Sequence, residues 1–300
     1  MPRVLIADKL EAAGLELLRA AGLEVDNQPN VHKEAREKLL AAIQAADALI
    51  CRSQPKLTAE LLENPGKLRA IARAGVGVDN IDVPAATRKG VVVMNTPGGN
   101  TVSAAEHTIA LLLALARRIP AADAVMKAGG WDRNKFVGTE VAGKTLGVIG
   151  LGRIGREVAR RAKGLDMRII ALDPFVTAAK AAELGYETAT SLDELLPQVD
   201  FLSVHVPGGA QTKSLIGARE LGLMKKTARV LNVARGGIVD EKALADALAA
   251  GTIAGAGVDV FTAEPVVADN PLLKAPNVVL TPHLGASTLE AQENVAIEAA

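Results

Sequence analysis

Residues 144–173, KTLGVIGLGRIGREVARRAKGLDMRIIALD, restrict the fold more than any other stretch of the chain. Residues 145–149 form a short apolar run suited to a buried parallel strand. Gly150-Leu151-Gly152-Arg153-Ile154-Gly155 follows at once, and residues 156–163 continue with helical spacing. A second apolar run, 167–172, ends on Asp173. Strand, Gly-x-Gly-x-x-Gly, helix, strand and acid make a dinucleotide-binding fingerprint in its required setting. Gly150 permits the tight turn, Gly152 lets a pyrophosphate approach the backbone, and Gly155 lets helix and strand pack closely. Free N–H groups and the dipole at the helix start favour phosphate. Asp173 lies about 20 residues beyond the first glycine, where an acid accepts from the adenosine ribose; its charge opposes a 2′-phosphate, so the expected cofactor is NAD rather than NADP.

At 300 residues the chain has room for about two domains. Its apolar content, 49%, suits an α/β protein with buried parallel strands. Thirty-four basic residues balance 34 acidic ones, and aromatics are only 2%, which argues against nucleic-acid and membrane partners. Cys51, in an apolar run, is the single cysteine and fits a core position in a reducing cytoplasm. The four histidines are scattered, so no metal site is expected. The first residues read directly as a strand without a signal-peptide pattern, and the apolar block 109–116 is too short to span a bilayer.

In chain order, residues 4–7, 48–51, 70–72 and 91–94 predict strands, with helices at 10–20, 33–45 and 58–62. This βαβ rhythm predicts a first parallel-sheet domain, and the lack of a glycine-rich loop after its first strand argues against dinucleotide binding there. Residues 95–100, NTPGGN, predict a break between domains. Ser103 to Glu106 has capping-box spacing, opening a helix to about residue 118 that is apolar almost all round. His107, within it, reads as a hydrogen-bonded core or interface histidine. A further helix is expected at 121–127 and an irregular segment at 129–136. After Asp173, strands are expected at 200–204, 229–233, 255–258 and 278–281, with a helix at 240–249. The helical pattern of 288–300 carries no stop signal, an expectation of a chain that continues.

Three loops after predicted strands hold polar residues that a core does not need: 232–237 with Arg235, 259–265 with Asp259 and Glu264, and 281–285 with His283. Ligands of open α/β sheets bind at the carboxyl ends of strands. Each residue alone fits a solvated loop equally well; together they form an acid–base set beside a carboxylate-binding arginine.

These stretches resemble the D-isomer-specific 2-hydroxyacid dehydrogenases along essentially the whole chain, and most closely the phosphoglycerate-acting members. The resemblance is carried by RAGVGVDNID (73–82), NTPGGNTVSAAEHTIALLLALAR (95–117), WDRNKFVGTEVAGKTLGVIGLGRIG (131–155), NVARGGIVDE (232–241), GVDVFTAEP (257–265) and TPHLGASTLEAQ (281–292). It implies two Rossmann-like, doubly wound parallel-sheet domains with the active site in the cleft between them. Residues 1–99 plus 284–300 would bind substrate, and 100–283 would bind NAD. It further implies His283 as general acid/base, Glu264 as its carboxylate partner and Arg235 as substrate anchor. Arg52, Ser53, Arg73, Val76 and Gly77 would contact substrate, the arginines holding a phosphate, with Arg133 contributed across a homodimer or homotetramer. Gly150, Gly152, Arg153, Ile154, Gly155, Asp173, His205, Pro207, Thr212, Ala234, Asp259 and Gly285 would contact the cofactor, Asp259 near its carboxamide. His205 is the nearest rival base, assigned to the adenosine side. Residues 206–212, VPGGAQT, depart from the family, where leucine and threonine usually follow the proline. A related reductase for hydroxypyruvate, glyoxylate or another 2-oxo acid is the enzymatic alternative. A corepressor-like protein that senses NAD is the alternative from another class.

Overall fold

The computed structural model describes residues 1–300. The chain divides into two compact units, Met1–Ser103 with Ala286–Ala300, and Ala104–Gly285.

In the first unit, β1 (Arg3–Ile6), α1 (Ala12–Ala20), β2 (Glu24–Asn27), α2 (Arg36–Ala45), β3 (Ala48–Cys51), β4 (Ala70–Arg73), α3 (Val83–Arg88) and β5 (Val92–Asn95) follow in order. All strands are parallel in the order β2-β1-β3-β4-β5, a doubly wound sheet that reverses direction between β1 and β3. Alternate residues face opposite cores: Leu5, Leu49 and Ile71 pack with Ile43 and Leu62, whereas Val4, Ile6 and Ile50 pack with Val295 and Ala296. The chain's last helix thus returns to close the second face. Its approach is tight, since a Cβ on Gly14 would stand 2.7 Å from the Ala296 carbonyl oxygen. Cys51 is buried in the first of these cores, and burial pushes its thiol up to about 12.

The two units share α4 (Thr101–Ala116), of which Ala104 onward belongs to the second. Then come α5 (Ile119–Lys127), β6 (Thr145–Ile149), α6 (Arg153–Lys163), β7 (Arg168–Leu172), α7 (Ala178–Glu183), β8 (Glu187–Thr188), α8 (Leu192–Leu195), β9 (Phe201–Val204), α9 (Ala218–Leu223), β10 (Arg229–Asn232), α10 (Glu241–Ala249), β11 (Gly255–Val258), β12 (Val278–Leu280) and α11 (Leu289–Ala299). The parallel order is β12-β11-β10-β9-β6-β7-β8, so the winding reverses between β6 and β9. Leu111, Leu112 and Leu115 of α4 cover one face with Val158 and Ala162 of α6. Leu195, Leu221, Leu244 and Leu248 cover the other. Covering both faces lets β6 and β9 be buried at every residue.

The structure corrects several sequence expectations. Residues 58–62 form turns rather than a helix, since five residues held between Pro55 and Pro65 are too few to repay nucleation. The long apolar helix starts at Thr101, so Ser103 lies in its first turn and donates back to the Asn100 carbonyl at 3.1 Å instead of capping it. The segment 129–136 contains a 3-10 turn, Asn134–Phe136. β2 and α3 were not expected at all.

Candidate active site

The fingerprint takes the geometry that its residue types require. Gly150 adopts φ +90°, which other residues rarely reach. A Cβ on Gly155 would lie 2.0 Å from the Gly150 carbonyl oxygen, so α6 rests directly on the turn. A Cβ on Gly152 would meet nothing within 4 Å, leaving the backbone at the start of α6 open to a ligand. Gly152 is the N-cap residue and supplies no side chain to the helix's free N–H groups. Arg153 and Ile154 form the first turn. Asp173, just past β7, accepts from the Leu151 amide at 2.6 Å and the Phe175 amide at 2.8 Å. Each carboxylate oxygen keeps capacity for a ribose hydroxyl. The open glycine, the unpaired helix start and this acid together fit a dinucleotide.

His205 follows β9 directly, and its amide donates to the Ile149 carbonyl at 2.7 Å. Its Nε2 lies 2.8 Å from Ser203 Oγ, and burial pushes the imidazole down to about 4. The ring is therefore neutral at physiological pH. Beyond it, Thr212 Oγ1 donates to the Pro207 carbonyl at 2.7 Å and closes the 207–212 turn. Gly208 lies against the stem of Arg235: a Cβ there would be 3.3 Å from Arg235 Cγ.

The loops after β10, β11 and β12 bring the acid–base candidates together. Buried Asn232 ends β10, donating to the Arg235 carbonyl at 2.9 Å and accepting from the Ala234 amide at 3.2 Å, which shapes the arginine's turn. Arg235 donates to the Ala234 carbonyl at 2.7 Å. Glu264 accepts from the Phe261 amide at 3.0 Å and bonds His283 Nδ1 at 2.6 Å. His283 has φ +56°, a left-handed conformation that aims the ring at that carboxylate. The Glu264 bond raises the His283 pKa, burial opposes it, Glu264 and Asp259 charges add to it and Arg235 subtracts. Burial pushes Glu264 up, but the bonds from His283 and Phe261 outweigh it and hold the carboxyl below its ordinary value.

Asp259 is 0% exposed. It accepts from Thr281 Oγ1 at 2.6 Å, the Leu284 amide at 2.7 Å and the Gly285 amide at 2.9 Å, with His107 Nε2 at 3.2 Å. Burial pushes its carboxyl up, yet His107, Thr281 and Leu284 hold it below the usual carboxylate value. The sequence singled out Asp259 and His107 separately but not their contact, because His107 lies 152 residues from Asp259 in the chain.

In the first unit, Arg52 follows β3 and Arg73 ends β4, adjacent strands in parallel register. Arg73 Nε donates to the Arg52 carbonyl at 3.2 Å, as does Asn80 Nδ2 at 3.2 Å. The Val76 carbonyl accepts from Asn95 Nδ2 at 2.6 Å, fixing the 75–77 turn beside them, and Ser53 is exposed. Arg133 is exposed in the second unit and is not brought to these residues within one unit.

Residues 109–285 match the family described as D-isomer specific 2-hydroxyacid dehydrogenase, NAD binding domain, and the chain belongs to that family. The D-3-phosphoglycerate dehydrogenase of Archaeoglobus fulgidus is 50% identical over 293 residues, covering 98% of this chain and 55% of that protein. That of Synechocystis is 45% identical over 300 residues, covering 100% of this chain and 53% of that protein. The chain thus spans about half the length of the curated relatives it matches. A glyoxylate reductase from Paecilomyes thermophila shares the fold with a TM-score of 0.87 at 33% identity, covering 98% of this chain and 92% of the other. The second unit is accordingly an NAD-binding domain. No helix is long and apolar enough to cross a membrane.

Proposed function

We propose that the chain oxidises D-3-phosphoglycerate to 3-phosphohydroxypyruvate with NAD, the entry step of serine synthesis. The observation that carries this reading is the 2.6 Å bond between His283 Nδ1 and Glu264 Oε2, beside Arg235 and on the same sheet as the fingerprint. With Nδ1–H directed at Glu264, Nε2 is left as the base that takes the substrate's C2 hydroxyl proton. Glu264 stabilises the imidazolium that forms, and Arg235 holds the carboxylate and polarises the C2 oxygen. Gly150, Gly152 and Gly155, the first turn of α6 and Asp173 hold NAD, with His205, Pro207 and Thr212 nearer the adenosine side and Ala234 beside Arg235. Bound NAD supplies the hydride acceptor.

Arg52 and Arg73 are assigned to the substrate phosphate, which carries about two charges and needs several donors. Support comes from their neighbouring strand ends and from the phosphoglycerate dehydrogenase relatives. A reductase acting on glyoxylate or another 2-oxo acid is the second reading, favoured by the likeness to the Paecilomyes protein. A cytoplasmic setting is supported by the single, buried Cys51. A homo-oligomer, with Arg133 reaching a partner's site, is supported by exposed Trp131 and Val137 in the segment around it.

The test separates the readings. Arg52→Ala and Arg73→Ala are each expected to reduce kcat/KM on 3-phosphoglycerate roughly tenfold or more, the worth of one charged hydrogen bond, and to alter glycerate oxidation far less. Equal losses on both substrates move the assignment to a general 2-hydroxyacid dehydrogenase. Wild-type protein that binds NADH but turns over no acid in a substrate panel favours the NAD-sensing binder.

A further inference from the structure

His107 faces the buried acid of the His283 loop from another element of the second unit. Its Nε2 lies 3.2 Å from Asp259 Oδ1 and 3.0 Å from Thr281 Oγ1. Thr281 has one hydroxyl proton, and the 2.6 Å bond to Asp259 Oδ1 uses it, because an ionised carboxylate only accepts. Toward His107, therefore, both neighbours are acceptors, and Nε2 must carry the proton. The histidine is a fixed donor, 19% exposed at its side chain, aimed at a carboxylate that is wholly buried.

That carboxylate governs the backbone around His283. Its oxygens accept from the amides of Leu284 and Gly285, the two residues after His283. The Asp259 carbonyl accepts the amide of His283 itself at 2.8 Å. Asp259 thus holds three consecutive amides across a residue in the left-handed region, where a non-glycine backbone is kept only by its surroundings. An acid rotated away would release the Leu284 and Gly285 amides, and a buried carboxylate short of a donor would be driven to rotate.

We propose that His107 is a positioning residue: through Asp259 and Thr281 it fixes the 283–285 turn, and with it the reach of the His283 ring. The inference rests on the reading of His283 as the acid–base group, and its test has an arm that does not.

The experiment uses His107→Phe, which keeps a ring and removes the donor, and His107→Gln, whose amide returns an N–H at about the place of Nε2. His107→Asn, whose amide stops short, repeats the removal should the Phe variant fail to fold. Amide hydrogen exchange at Leu284 and Gly285 is read without substrate, after thermal melts establish folding. Exchange there is expected to quicken roughly tenfold or more in the variant lacking the donor, the size of one charge-assisted bond, and to return toward wild type in His107→Gln. In steady-state kinetics kcat is expected to fall by a similar factor with the KM for the acid nearly unchanged, again recovered by Gln. Unchanged exchange in a folded donor-less variant overturns the proposal. So does a Gln variant as impaired as Phe, which reduces His107 to packing. A wild type inactive on every 2-hydroxy acid sinks the functional reading instead, and the exchange arm still decides this one.

Discussion

Two histidines stand just beyond parallel strands of one sheet, and their surroundings give them opposite chemistry. His205 follows β9 and His283 lies three residues past β12. His205 has a serine hydroxyl at 2.8 Å and no carboxylate, and burial alone pushes it down to about 4. His283 keeps its side chain 48% exposed, has Glu264 at 2.6 Å, and is raised. A strand-end position is therefore not enough to make an acid–base group. What decides is a charged partner strong enough to overcome desolvation, and a ring nitrogen left over for substrate.

The comparison breaks most directly at turnover. His283→Ala is expected to lower kcat by roughly 10²–10⁴-fold, the usual worth of a general acid–base group, with NADH binding near normal by fluorescence titration. His205→Ala is expected to weaken NADH more than it slows turnover, because the side chain leaves the backbone against the glycine turn, its Cβ 3.4 Å from where a Gly155 Cβ would be. The reverse pattern would move the base to His205.

The same contrast shows what a sequence can disclose. β6, α6 and β7 were legible because a buried strand must be apolar and a dinucleotide turn must be glycine-rich, so residues 145–173 advertise both. β2, Glu24–Asn27, was not: as an edge strand it pairs only with β1 and buries almost nothing, leaving one apolar residue as its signal. α3 has an Asp82 cap and a proline in its first turn, but six residues show too little periodicity to stand out. Arg235, Glu264 and His283 could be singled out, each being a polar residue in a loop after a strand. The partners of Asp259 could not. His107 lies 152 residues from Asp259 and Thr281 lies 22 away in a separate loop, so tertiary packing sets both contacts and no spacing rule reaches them.

Acid stability sharpens the contrast. His205 is held neutral when folded, with a value near 4 against 6.5 for an ordinary histidine. Below 6.5 the unfolded chain takes a proton that the folded one refuses. Its contribution is therefore complete above about pH 6.5 and is lost as pH falls toward 4, by up to about 3 kcal/mol. His283 has the opposite sign: its raised value stabilises at low pH and fades as pH rises through the folded value. Urea midpoints between pH 5 and 7 are expected to fall less steeply toward acid in His205→Asn than in wild type. Parallel slopes would mean that His205 is hydrated and titrates normally.

The smallest expected effect isolates the partner rather than the base. Glu264→Gln keeps the shape and an acceptor oxygen while removing the charge that strengthens the Glu264 bond, the chief cause of the raised His283 value, and itself adds to it. On the proposed mechanism, oxidation of a 2-hydroxy acid requires neutral His283, so its kcat/KM is expected to rise with pH through the histidine's titration. In Glu264→Gln that limb should move to lower pH, while in the reductive direction, where the imidazolium donates, the activity should begin to fall at lower pH. The loss at the optimum should be smaller than in His283→Ala, since the base itself remains. A profile that keeps its position while losing rate would show that Glu264 only orients the ring. One that vanishes entirely would point to another titrating group, and the contrast between the two histidines would then rest on position after all.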